Sequence, residues 1–161
     1  MRDPQARAAT GTAGRQLIHA TTVALGSVAA VLRGPSGIGK SDLALRFLSE
    51  QGRWPGDVRE RRLVADDQTW LSLEDGRLIA TAPVTIAGKV EVRGVGIVDV
   101  PTQGPAEVRL VVDLVPSAEV ERFPDPLMMT ELLGISVPLR RLAPFETSAP
   151  LKLALLLAHV A

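Results

Sequence analysis

The chain contains no cysteine and no tyrosine, and aromatic residues make up 3% of its 161 positions. The first absence excludes disulfides, thiol nucleophiles and thiolate metal sites, and it fits a reducing compartment. The scarcity of aromatics argues against the stacking platforms that hold single-stranded nucleic acid. An excess of charge of one sign is missing too. Eighteen basic and eighteen acidic residues cancel, so there is no electrostatic footprint for DNA or RNA. No apolar run reaches the roughly 18 residues of a membrane-spanning helix. The longest near the start, Val23 to Leu32, is broken by Gly26 and Ser27. Residues 1–16 carry Arg2, Arg7 and Arg15 among small residues, without the apolar centre of a signal peptide. They read as a flexible lead-in, and the expected location is the cytoplasm. No repeat or linker divides the remainder, so residues 17–161 are expected to form one domain. A hydrophobic content of 46% is ample for its core.

What the chain does have is Gly34-Pro35-Ser36-Gly37-Ile38-Gly39-Lys40-Ser41. Every fixed position of the phosphate-binding pattern G-x-x-x-x-G-K-[ST] is filled. The apolar run Val28 to Leu32 precedes it as a strand, and Ser41 to Leu48 follows as a helix, the context that the pattern requires. Backbone N–H groups of such a loop surround phosphate oxygens, and the helix start adds its positive dipole end. Lys40 would neutralise the terminal phosphates and Ser41 would ligate Mg²⁺.

Phosphoryl transfer also needs carboxylates. Asp66-Asp67 ends an apolar segment, Arg62 to Ala65, and adjacent side chains of an extended chain project in opposite directions. One could face a metal while the other faces an acceptor. Asp113, after Leu110-Val111-Val112, and Asp99, after Ile97-Val98, compete for the metal role, and the pattern does not choose among them. Glu91 and Arg93 share a strand face beside Gly94 and Gly96. They suit a metal–phosphate site, and they also suit a plain surface ion pair, the commoner arrangement for such residues. His19 is one of two histidines, and its residue type is the one that ordinarily titrates near neutrality. A lone histidine at a strand start is also commonly structural. His159 receives no role.

The segments predict a strand over 17–25 that pairs with 28–32 through a Gly26-Ser27 turn, and a helix over 41–51 stopped at Gly52. Trp54-Pro55-Gly56-Asp57 reads as a turn. Asp75-Gly76 predicts a hairpin between 69–73 and 77–81. Strands are expected over 90–100, 108–115 and 135–139, with a short helix from Pro116 to Arg122. Ser148 and Pro150 open a last helix, 151–160, with Ser148 as its candidate cap. Strands therefore outnumber helices. The expected fold is α/β, a P-loop protein with a strand-rich mixed sheet and helices at the loop and the C-terminus.

In this order the pieces resemble the catalytic domain of HPr kinase/phosphorylase. The resemblance rests on His19 ahead of the loop, the loop itself, Leu63-Val64-Ala65-Asp66-Asp67, Val90-Glu91-Val92-Arg93-Gly94-Val95-Gly96-Ile97-Val98-Asp99, and Glu121-Arg122. With few residues ahead of the first strand, the chain is similar to the short proteobacterial form of that family. The resemblance implies the strand-rich core shared by HPr kinase and phosphoenolpyruvate carboxykinase. It implies an ATP-dependent serine kinase for the phosphocarrier HPr, with a regulatory role in carbon or nitrogen metabolism. In the reverse direction, inorganic phosphate removes the phosphoryl group and pyrophosphate forms. Asp66 becomes general base and acid, Asp67 and Ser41 become Mg²⁺ ligands, and Glu91 stands near a second metal position. His19 sits beside the catalytic acid, Arg122 orients phosphate, and a homo-oligomer, a hexamer, is expected. Two other functions fit the loop: a module that senses ATP or pyrophosphate without transfer, and a kinase for a small metabolite. A GTPase does not, because the N-K-x-D guanine motif is absent.

Overall fold

Val28, Ala30 and Leu32 point to one side of a strand, Ala29 and Val31 to the other, and all five are buried. A strand covered on both faces reads as an unbroken apolar run and belongs in the middle of a sheet. The computed structural model describes residues 14–50 and 57–161. Within them lie β1 (Arg15–His19), β2 (Thr21–Leu25), β3 (Val28–Arg33), α1 (Lys40–Ser49), β4 (Arg61–Ala65), β5 (Gln68–Glu74), β6 (Arg77–Thr81), β7 (Lys89–Val92), β8 (Gly96–Asp99), β9 (Ala106–Leu114), β10 (Met129–Leu132), β11 (Ile135–Leu142) and α2 (Ala149–Val160).

The main sheet has nine strands and runs β1-β5-β6-β9-β3-β2-β4. One flank of β9 pairs with β3 along its length. The other flank is shared, with Ala106 and Glu107 on β6 and Val111 to Leu114 on β11. Because β3, β9 and β11 are mutually parallel and β2 is antiparallel to both β3 and β4, four strands point the same way. Their C-terminal ends, at Ala65, Arg33, Leu114 and Leu142, lie on one edge of the sheet. Ligands of open α/β sheets bind outside such an edge.

Alternation sorts the core into two layers. Val28, Ala30, Leu32, Leu110, Val112 and Leu114 pack with Leu43 and Phe47 of α1 and Leu153 and Leu157 of α2. Ala29, Val31, Val108 and Val111 pack on the opposite face with Leu71, Leu78 and Val137. Both helices therefore cover one face. The buried positions of α1, Leu43, Ala44, Phe47 and Leu48, form the stripe expected of a helix on a sheet. No helix among the described residues is long and apolar enough to cross a membrane.

Several boundaries differ from the expectations. The run 17–25 is two strands, because the chain changes partners at Ala20: β1 pairs with β5, whereas β2 pairs with β3 and β4. Strand β1 already begins at Arg15. The run 90–100 is the hairpin β7–β8, turned by Arg93-Gly94-Val95 with φ of 84° at Gly94. Between β9 and β10, only Ser117–Glu119 turns helically, as a single 3-10 turn, so no helix reaches Arg122. Ser148 makes no side-chain cap, and its carbonyl instead accepts from the Lys152 N–H. Asp75 and Gly76 both have positive φ, 50° and 74°, as the β5–β6 turn requires. The Gly52 stop and Trp54-Pro55-Gly56 lie outside the described residues, as do residues 1–13.

Candidate active site

The residues from Gly34 to Lys40 join the end of β3 to the start of α1. Gly34, Gly37 and Gly39 have φ of 152°, 81° and 108°. At Gly39 the left-handed geometry ends in helix: its carbonyl accepts from the Leu43 N–H at 2.9 Å, and no side chain caps the helix. The first N–H groups of α1 have no partner of their own within the helix. At the root of the loop Arg33 grips Asp113 with both forks, Nε to Oδ1 at 2.7 Å and Nη2 to Oδ2 at 3.0 Å, tying the ends of β3 and β9 together.

Lys40 is buried, at 6% exposure, and folds back on its own loop. Its Nζ donates to the carbonyls of Gly34 at 2.8 Å and Pro35 at 3.1 Å. Phosphate oxygens would compete for the ammonium through stronger, charge-assisted bonds.

Ser41 points to Asp66. The hydroxyl donates to Asp66 Oδ1 at 2.7 Å, and the same oxygen accepts from Thr21 Oγ1 at 2.9 Å. Thr21 opens β2 and Asp66 follows β4, so two neighbouring strands deliver this cluster to the edge where the loop sits. The Asp67 N–H donates back to Thr21 Oγ1 at 3.2 Å. Thr21 and Asp66 are buried. Asp66 Oδ2 accepts no hydrogen bond from the described residues.

Asp67 adopts φ of 63°, which turns the chain from β4 into β5. Its carboxylate is 64% exposed and lies 3.3 Å from His19 Nδ1. The register explains the meeting, since His19 stands opposite Gln68 in the β1–β5 pair. The resemblance implies His19 beside Asp66 and Ser41 beside Asp67. The structure pairs them the other way, Ser41 with Asp66 and His19 with Asp67.

The competing carboxylates have other partners. Asp113 is held by Arg33, and Asp99 pairs with Lys89 at 2.9 Å. Glu91 is exposed on β7 and Arg122 is exposed near Phe123, whose ring centre is 5.6 Å from the guanidinium carbon. Neither contacts a loop residue, Asp66 or Asp67 through a hydrogen bond or ion pair among the described residues. Nor, among the described residues, do three His, Asp or Glu side chains gather in a metal-holding group.

A small hard cation nevertheless fits. Ser41 and Asp66 offer a hydroxyl and a carboxylate side by side, oxygen donors without sulfur. Mg²⁺ characteristically takes one or two carboxylates, completing its shell with water and phosphate rather than with an all-protein cage. Ser41 and Asp66 would hold it, with Asp67 one residue on.

Sequence reasoning passes over Thr21, although a buried Thr21-Thr22 pair in an apolar strand is a visible anomaly. Thr22 shares a hydrogen bond with Thr69 at 2.9 Å on the same seam. It also passes over the loop between β11 and α2. A methyl group added at Gly39 would lie 2.9 Å from Phe145 Cζ and 3.3 Å from Pro144 Cβ, so this loop packs directly on the glycine before Lys40.

The model of the HPr serine kinase C-terminal domain matches residues 11–149. The chain belongs to that family. Among curated members, the HPr kinase/phosphorylase of Limosilactobacillus reuteri is 30% identical over 137 residues, 78% of this chain and 40% of that protein. The HPr kinase/phosphorylase of Clostridium tetani is 38% identical over 85 residues, 53% of this chain and 25% of that protein. The chain thus spans a quarter to two fifths of the length of these relatives. The solved structure of the Hpr(Ser) kinase/phosphatase from Coxiella burnetii superposes with a TM-score of 0.74 at 28% identity, covering 89% of this chain and 95% of that one. The strand-rich mixed sheet with few helices matches the fold of that structure.

Proposed function

We propose that this chain is an ATP-dependent serine kinase acting on an HPr-like phosphocarrier, with phosphorolysis as its reverse reaction. The observation that carries the proposal is the 2.7 Å bond between Ser41 and Asp66, which sets a carboxylate at the mouth of the phosphate loop. Phosphoryl transfer depends mainly on positioning and charge neutralisation, and the site is built for both.

In the forward direction, the amides from Gly34 to Ser41 hold the β- and γ-phosphates while Lys40 leaves the Gly34 and Pro35 carbonyls for phosphate oxygens. Ser41 and Asp66 would hold Mg²⁺, which would offset the phosphates' negative charge. Asp66 takes the proton of the acceptor serine hydroxyl through its uncommitted Oδ2. The serine oxygen forms its bond to the γ-phosphorus as the bond to the ADP oxygen breaks. In the opposing phosphorolysis, an oxygen of inorganic phosphate bonds to the phosphoserine phosphorus as the bond to the serine oxygen breaks, pyrophosphate leaves, and protonated Asp66 gives its proton to the serine oxygen. His19 holds Asp67 beside the site, Arg122 orients the incoming phosphate, and Glu91 contributes to a second metal position. A hexamer in the cytoplasm, serving regulation of carbon or nitrogen use, accompanies this reading.

A second assignment of the same carboxylate is favoured by a specific observation. Asp66 Oδ1 already accepts the Ser41 hydroxyl, the contact expected of a carboxylate that positions Mg²⁺. The two roles are separated by the variants described in the Discussion.

The function is tested by incubating the protein with Mg²⁺, γ-labelled ATP and the HPr-like protein of the same organism, followed by mass spectrometry of the carrier. One phosphoryl group on a serine is expected, and added inorganic phosphate should remove it with release of pyrophosphate. Binding of ATP without transfer would instead identify a sensor. ATP consumption with a small hydroxylated compound, the carrier remaining unmodified, would identify a metabolite kinase.

A further inference from the structure

The loop springs from β3, and the strands on its two sides carry different chemistry. On the β2–β4 side stand Thr21, Ser41 and Asp66, where transfer takes place in the proposed reaction. On the β9–β11 side stands Phe145, in the loop that joins β11 to α2. The residue is 69% exposed in a chain with only three phenylalanines, yet its ring lies against Gly39, where an added Cβ would meet Cζ at 2.9 Å and Cε1 at 3.1 Å.

This ring is exposed but not loose. Arg46 of α1 donates through Nη2 to the Pro144 carbonyl and through Nη1 to the Glu146 carbonyl at 3.3 Å, bracketing Phe145 from both sides. Arg46 is itself oriented by Asp42 at 2.9 Å, and Glu146 is also bound by Lys152 from α2. An apolar side chain whose backbone is pinned at both neighbours, and which still faces solvent at the rim of a phosphate cradle, offers a flat surface to a ligand.

We infer that Phe145 is the platform on which the base of the bound nucleotide stacks, with Arg46 as the residue that positions it. The inference rests on the reading of Gly34 to Ser41 as a nucleoside triphosphate site. A triphosphate whose reactive end faces Asp66 directs its nucleoside end away from β4, toward the β9–β11 side. Among the described residues, Phe145 is the aromatic side chain that the fold places against the loop on that side. Stacking on one ring is tolerant of base identity, because every base has a π-face.

Titration calorimetry of the whole chain with Mg-ATP and with Mg-tripolyphosphate, which lacks the base, tests this. Phe145→Ala should weaken ATP by about 5- to 150-fold, the span of one base–aromatic stack, and leave tripolyphosphate unchanged. Phe145→Trp should bind ATP at least as well as the parent. Arg46→Ala should reproduce the ATP-selective loss to a smaller extent. An unchanged ATP affinity in Phe145→Ala, or an equal loss for both ligands, overturns the inference and leaves the loop reading intact. A parent chain that binds neither ligand overturns the loop reading and this inference together.

Discussion

Replacing Lys40 by alanine is expected to abolish transfer from ATP to the carrier and to weaken Mg-ATP binding, with no loss of the fold. The side chain is buried and its two hydrogen bonds go only to carbonyls of its own loop, at Gly34 and Pro35. Its ammonium is therefore held in reserve for a stronger partner. Charge developing on the transferred phosphoryl group would lose its fixed counter-charge, and removal of a single such donor lowers turnover by ~10²–10³-fold. Lys40→Arg should not rescue. The planar guanidinium replaces a compact ammonium that reaches two carbonyls inside a tight loop, and the two cations do not substitute for each other in such a fit. Steady-state kinetics with the carrier, alongside circular dichroism to verify the fold, measures both. Transfer within a few-fold of the parent in Lys40→Ala would contradict the assignment.

Loss of the Asp66 carboxylate has the second large effect. A positioned base contributes about 10²–10⁴-fold, and the turnover of Asp66→Asn should fall by that factor while Mg-ATP affinity stays within a few-fold. Asparagine is the cleaner substitution. Its amide oxygen can still accept from Ser41 and Thr21, whereas alanine leaves both hydroxyls without their acceptor, at a cost of about 1–3 kcal/mol for a buried group. Asp66→Asn and Asp66→Ala should be equally inactive if Asp66 takes the proton. If the carboxylate instead serves to hold Mg²⁺, raising the Mg²⁺ concentration should recover much of the lost rate. An Asp66→Asn variant with full turnover would show that the side chain only orients hydroxyls.

Local chemistry made part of this site legible. The eight-residue loop, the β2–β3 hairpin and the Asp75-Gly76 turn are written in contiguous residues whose backbone needs are explicit in glycines and acids. The pair Asp66-Asp67 is recognisable as a strand end with two opposed carboxylates, but not which of them faces the loop. That depends on the left-handed turn at Asp67 and on the pairing of β1 with β5, which brings His19 opposite Gln68. The same non-local pairing splits the run 17–25 at Ala20, a boundary with no glycine or proline to mark it. Asp113 looked like a metal ligand until β3 and β9 lay side by side and Arg33 claimed it. Phe145 was invisible for a similar reason: the arginine that fixes its neighbours lies about a hundred residues earlier, on another helix. Pattern reports what a segment can do alone, and these contacts exist only after the sheet has closed.

The most direct measurement is a crystal structure of the protein with Mg²⁺ and a non-hydrolysable ATP analogue. It should show the β- and γ-phosphates on the amides of Gly34 to Ser41, Lys40 Nζ transferred from the two carbonyls to phosphate oxygens, and Asp66 still bonded to Ser41 beside the γ-phosphate. Phosphates bound elsewhere, with Lys40 left on its carbonyls or Asp66 turned across the sheet, would contradict it.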